Sequence, residues 1–169
     1  MKPEVTVLMG SASDWPHLRS AVALLEEMGV GRRVHVTSAH RTPERTVELV
    51  RTAESDGCRV FLCAAGMAAH LAGVVAAHTA RPVLGVPLPG GVLDGVDALL
   101  STVQMPPGVP VASFGVGSAG ARNAAIFAAQ VVAVERSEVA AAVARIREAG
   151  REKVLAGDHQ VREELAGGT

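Results

Sequence analysis

Short apolar runs rich in β-branched residues recur along the chain. They are Val5-Thr6-Val7-Leu8-Met9, Arg33-Val34-His35-Val36-Thr37, Val60-Phe61-Leu62-Cys63, Pro82-Val83-Leu84-Gly85-Val86 and Val109-Pro110-Val111-Ala112-Ser113-Phe114. Runs this short, bounded by Gly, Pro, Ser or charge, predict five buried strands. Between them the apolar spacing lengthens to three or four, predicting helices at about 14–29, 43–56, 67–80 and 94–101. Leu18, Val22, Leu25 and Met28 share one face of the first of these. An Ala-rich helix over 119–134 and a further helix over about 137–155 close the pattern, and 157–169 is expected to fray as a tail.

Strand, crossover and strand in this rhythm means right-handed βαβ units and a parallel sheet. The expected fold class is α/β, a flavodoxin-like three-layer sandwich with a five-stranded parallel sheet and an extra C-terminal helix. A single domain over 1–156 accommodates it, since no repeat, low-complexity block or linker interrupts the chain.

Composition sharpens the picture in three places. Aromatic residues make up only 2% of the chain against 49% hydrophobic, so Val, Leu, Ala and Ile must fill the core, as suits a sheet buried on both faces. The net charge is -1 and no long Lys/Arg run appears, which disfavours nucleic acid. Every apolar stretch is broken before the ~20 residues that span a bilayer, which leads to the expectation of a cytoplasmic protein with no membrane partner. Cys58 and Cys63 match neither a redox pair nor a zinc site and read as reduced, structural thiols. The scattered histidines predict no metal.

Ligands of such sheets bind outside the carboxyl ends of the strands, so the chemistry is sought in the loops that follow them. The first, Gly10-Ser11-Ala12-Ser13-Asp14, offers N–H groups and hydroxyls to an anion. Asp14 would suit a ribose hydroxyl instead, or simply cap the helix. The second, Ser38-Ala39-His40-Arg41-Thr42-Pro43, sets a proton carrier beside an anion clamp; the alternative is a solvated loop capped by Thr42. In the third, Ala64-Ala65-Gly66-Met67-Ala68-Ala69-His70-Leu71, small residues would let a planar ligand lie against the main chain. His70 there is either functional or a satisfied core histidine. Pro- and Gly-rich stretches at 86–91 and 101–110 suggest a pocket rim, with Gln104 and Met105 as possible lining. Gly115-Val116-Gly117-Ser118-Ala119-Gly120 matches a dinucleotide fingerprint, yet no strand is expected after its helix, so it is set aside as a decoy.

Taken in order, Met9-Gly10-Ser11-Ala12-Ser13-Asp14-Trp15, Ser38 to Pro43, Ala68-Ala69-His70-Leu71, Pro82 to Pro87, Gly95 to Ser101 and Gln104-Met105-Pro106 resemble the PurE family from about residue 4 to 134. Ala68 to Leu71 is similar to class I members, which move a carboxylate from N5 to C4 of an aminoimidazole ribonucleotide in purine biosynthesis. Class II members carboxylate aminoimidazole ribonucleotide directly with CO2 and remain the alternative, beside a non-catalytic nucleotide-binding module. The resemblance implies His40 as general acid and base with His70 near the ring. It implies a substrate pocket of Gly10, Ser11, Ser13, Asp14, Ser38, Ala39, Arg41, Ala65, Gly66, Ala68 and Leu71. It implies no cofactor, a small-molecule ribonucleotide as substrate, and a homo-octamer, for which the Ala/Val faces of 119–147 are the expected contact. Met67 and Ala72 depart from the family pattern, as does Leu88-Pro89-Gly90-Gly91.

Overall fold

The computed structural model describes residues 2–167. Its strands are β1 (Val5–Met9), β2 (Arg32–Val36), β3 (Val60–Ala65), β4 (Val83–Pro87) and β5 (Ala112–Ser113). Its helices are α1 (Trp15–Glu27), α2 (Pro43–Ser55), α3 (Leu71–Ala76), α4 (Val96–Val103), α5 (Gly117–Ala133) and α6 (Ser137–Gly167), with a 3-10 turn at Ala12–Asp14. All strand pairs are parallel and the order is β2-β1-β3-β4-β5. The sheet is therefore doubly wound, and its strand order reverses at β1 and β3. Their register, Val5 with Val60 through Met9 with Ala64, brings both carboxyl ends to one level. The two loops leaving those ends part there and open a crevice.

Burial on both faces explains the unbroken apolar runs. One face packs Val5, Val7, Leu62, Leu84 and Val86 under α1 and α5, and the other packs Leu8, Phe61 and Cys63 under α2 and α3. Each fully buried Val or Leu contributes ~1.5–3 kcal/mol. Leu18, Val22, Leu25 and Met28 all lie in the first of these layers. Both cysteines are free and buried, and burial pushes both thiols above the ordinary value.

Four expectations need correction. β5 holds two residues rather than six, because Pro110 has no N–H to give a ladder and Pro106 and Pro107 stiffen its approach. α3 begins at Leu71, since Met67 (φ 57°) and Ala69 (φ 39°) adopt left-handed conformations that no α-helix contains. The Ala/Val face of α5 does not wait for another subunit: Ala121, Ala124, Ala125, Ala128, Ala129 and Val132 are buried within the chain. Nor does the tail fray from 157. α6 runs to Gly167, carried by helix-forming residues and by Glu148–Arg151 and Asp158–Arg162 pairs; Gly168 and Thr169 lie outside the described residues. No helix among the described residues is long and apolar enough to cross a membrane.

Candidate active site

A cleft of about 610 Å³ lies over the carboxyl ends of the first four strands. Gly10, Ser11, Ser13 and Asp14 line it from the β1 loop, and Ser38, Ala39, His40 and Arg41 from the β2 loop. Ala65, Gly66, Ala68, His70 and Leu71 line it after β3. The thirteen residues expected at the site thus meet in one place, while Gln104 and Met105, also read as possible lining, do not take part. Met105 packs instead beside Gly73, its sulfur 3.2 Å from where a Cβ would stand there. Met67, Ala69, Pro89, Gly90 and Gly91 complete the wall. The Pro-Gly-Gly run was the only signal pointing to the last three, because a flexible turn reveals nothing of the side it faces.

The β1 loop is a reciprocal cap. Ser11 Oγ accepts from the Ser13 N–H at 3.3 Å, and the Asp14 carboxylate accepts from the Ser11 N–H at 2.9 Å. Those two donors are spent internally, so this loop does not offer them to an anion. Asp14 does not cap α1 with its side chain, which instead accepts from the Ser11 N–H as the reciprocal partner of the Ser11 cap, and its carboxylate still faces the cleft.

Burial holds the Asp14 carboxyl above its ordinary value, against the pull of the Ser11 and Gly10 amides and the His17 charge. The folded chain therefore binds this proton more tightly than the unfolded chain. Ionised Asp14 costs stability at neutral pH, and the cost fades as pH falls through the folded value toward the ordinary one. Asp14→Asn, which can still accept from Ser11, should melt no lower than wild type at pH 7, with any advantage shrinking in acid. Melting curves at both pH values, with calorimetric ribonucleotide binding alongside, check this. Weakened binding is expected, whereas unchanged affinity would leave Asp14 a cap alone.

The β2 loop is held by hydroxyls. Thr42 Oγ1 accepts from the Ser38 N–H at 3.0 Å and lies 3.3 Å from Thr37 Oγ1, which bonds the buried Thr46 at 2.8 Å. Thr42 therefore staples the loop and does not cap α2. Ser38 Oγ in turn accepts from the Arg41 N–H at 3.2 Å. Among the described residues no carboxylate meets the Arg41 guanidinium, which leaves its fork free for an anion.

His40 and His70 meet across the cleft, Nε2 to Nδ1 at 2.7 Å, with the rings edge to face at 80°. His70 is exposed, so it is not a core histidine. A contact this short requires one of the two nitrogens to donate its N–H and the other to accept it, so each ring fixes the tautomer and orientation of the other. The reach of His70 depends on the strained turn before α3. Met67 and Ala69 are left-handed, at about 1–3 kcal/mol each, in the turn that leads into His70 at the start of α3. Gly66 lies beside the β4 loop, where a Cβ would make ordinary contact with the Leu88 carbonyl oxygen at 3.5 Å.

A flavodoxin-like sheet with a hydrogen-bonded histidine pair and an unpaired arginine in a cleft at its switch point is the architecture of an α/β enzyme. The chain belongs to the AIR carboxylase family, whose model matches residues 4–153. It is 45% identical over 153 residues to the N5-carboxyaminoimidazole ribonucleotide mutase of Saccharolobus solfataricus, covering 90% of this chain and 96% of that one. The mutase of the same name from Bacillus subtilis is 44% identical over 161 residues, covering 95% and 99%. Among solved structures, Treponema denticola PurE is similar with a TM-score of 0.84 at 28% identity, covering 94% of this chain and 98% of that one.

Proposed function

We propose that this enzyme converts N5-carboxyaminoimidazole ribonucleotide to 4-carboxy-5-aminoimidazole ribonucleotide in purine biosynthesis, with His40 as the proton carrier. The observation that carries the reading is the His40–His70 contact at 2.7 Å inside the cleft. Relatives that match this chain over nearly its whole length carry the mutase name.

The chemistry needs one group that gives a proton and then takes one. When the N–C bond to the carboxylate breaks, its electron pair stays on nitrogen and CO2 is released. His40 in its protonated form supplies the proton to that nitrogen. The enamine carbon C4 then attacks CO2, forming the new C–C bond, and neutral His40 removes the C4 proton so that the ring regains aromaticity. No net proton is consumed. His70, hydrogen-bonded to His40, holds the imidazole in the orientation that both proton transfers need.

Arg41 clamps the phosphate, remote from the reacting atoms, and so fixes the ring's position. Asp14 accepts from a ribose hydroxyl. Ala65, Gly66, Ala68 and Leu71 give CO2 an apolar wall from which water is excluded while it is free. Gly10, Ser11, Ser13, Ser38 and Ala39 complete the substrate pocket.

The working unit is one domain over residues 1–156, acting as a homo-octamer in the cytoplasm. Val92, Leu93, Val96, Leu100 and Val103, exposed on and before α4, supply an apolar face for that assembly next to the Pro89-Gly90-Gly91 rim. Turnover tests the substrate assignment. The N5-carboxylated ribonucleotide should be converted without added bicarbonate, and a strict need for aminoimidazole ribonucleotide plus bicarbonate would overturn it.

A further inference from the structure

The turn that carries β3 into α3 is closed by the Ala69 N–H, which donates to the Gly66 carbonyl at 3.1 Å, so Met67 and Ala68 are its central residues. Met67 has φ 57°, whereas Ala68 does not enter the left-handed region. A tight turn with positive φ at its first central position is one that glycine ordinarily occupies, because a Cβ there crowds the backbone. The neighbouring rim follows that rule, with Gly90 at φ 118° and Gly91 at φ 75°. Met67 breaks it. Backbone strain of this kind concentrates at ligand clamps and active sites.

Core packing does not account for the choice of side chain. Met67 lines the cleft and is 66% exposed, whereas Met9 and Met28 are 2% exposed in the core. The other apolar members of the lining cannot cover a ligand. Ala65, Gly66 and Ala68 are short, Leu71 is 2% exposed and held in the core, and Gly90 and Gly91 present bare main chain. The turn also abuts the β4 loop, since a Cβ on Gly66 would stand 3.5 Å from the Leu88 carbonyl oxygen and 3.7 Å from that of Pro89. Met67 is thus a long, unbranched and exposed apolar arm at the junction of two cleft walls. A flexible thioether can lie flat against a planar ring and withdraw when the ring leaves.

We propose that Met67 is the cover of the active site: once the ribonucleotide is bound, its side chain folds over the aminoimidazole and keeps CO2 against the Ala65, Gly66 and Ala68 wall until C4 captures it. This rests on the mutase reading above. The captured step has one competitor. When the N–C bond has broken and the nitrogen has taken its proton from His40, CO2 that escapes leaves aminoimidazole ribonucleotide behind. The net leak converts one N5-carboxylated ribonucleotide and one proton to aminoimidazole ribonucleotide and CO2. A cover changes the ratio of capture to escape and leaves the proton transfer itself alone.

Product partition in M67G, M67A and M67L variants of the full chain tests it. Each enzyme is given the N5-carboxylated ribonucleotide, the 4-carboxy product and aminoimidazole ribonucleotide are both quantified, and decarboxylation without enzyme is subtracted. Wild type and M67L, which keeps a long apolar side chain of similar volume, should yield almost only the 4-carboxy product. M67G and M67A should release aminoimidazole ribonucleotide in a several-fold larger fraction of turnovers. M67G should melt close to wild type, because glycine suits the left-handed turn, so its leak is not unfolding. A partition in M67G or M67A equal to wild type, or a leak in M67L as large as theirs, would overturn the cover and leave the mutase assignment standing. Wild-type enzyme that forms no 4-carboxy product would overturn the substrate assignment and the cover with it.

Discussion

Replacing His40 by Asn is expected to lower turnover of the N5-carboxylated ribonucleotide by about 10²–10⁴-fold, the usual contribution of a positioned acid/base group. Asn is close to His in size and can still hydrogen-bond His70, but its amide neither donates nor accepts a proton at neutral pH. The loop should hold its shape, since Thr42 and Ser38 fix it independently of the imidazole. Ribonucleotide affinity should therefore stay within a few-fold of wild type. Steady-state rates with binding measured by calorimetry separate the two effects. Turnover unchanged by the substitution would remove His40 from the proton transfer, and binding lost together with turnover would make it a ligand-holding residue.

The largest structural effect is expected at Gly120. A Cβ built there would stand 1.6 Å from the Gly115 carbonyl oxygen, an overlap with backbone that no rotamer relieves. Gly120→Ala must push the start of α5 away from the loop after β5. That helix carries the buried Ala121–Ala124–Ala125 face which packs against α1 and the sheet. A loss of about 3 kcal/mol or more is expected, at the upper end of overpacking costs. Urea unfolding measures it, with Gly150→Ala, an open helix position, as the control that should be neutral or stabilising. A Gly120→Ala midpoint equal to wild type would show that the approach of α5 to Gly115 is not needed. The match of Gly115 to Gly120 with a dinucleotide fingerprint has this physical origin: its last glycine serves helix packing, and the helix it opens leads to α6 rather than to a strand.

The sheet was legible because each strand is buried on both faces, which leaves an unbroken apolar run, and because long connections between them require parallel pairing. The loops that hold the thirteen predicted cleft residues were legible because strand ends fix where loops converge, while the choice of residues within them followed the family resemblance. What escaped was set by contacts between distant segments. The start of α3 depends on left-handed Met67 and Ala69, residue types that give no such warning locally. Gly73 admits Met105 to the far side of α3, which takes that side chain out of the cleft. The alanines of α5 are consumed by α1 rather than by a neighbour, a choice that helical periodicity alone leaves open. The outer part of α6 was missed because its polar composition suggests fraying, whereas the helix runs on to Gly167.

The most direct test of the account gives the wild-type enzyme N5-carboxyaminoimidazole ribonucleotide carrying ¹³C in its carboxylate, in buffer containing unlabelled bicarbonate. A carboxylate that leaves nitrogen and rejoins carbon inside one closed cleft predicts a product that keeps the label. Product formed with unlabelled carboxylate, or only when aminoimidazole ribonucleotide and bicarbonate are both supplied, would contradict it.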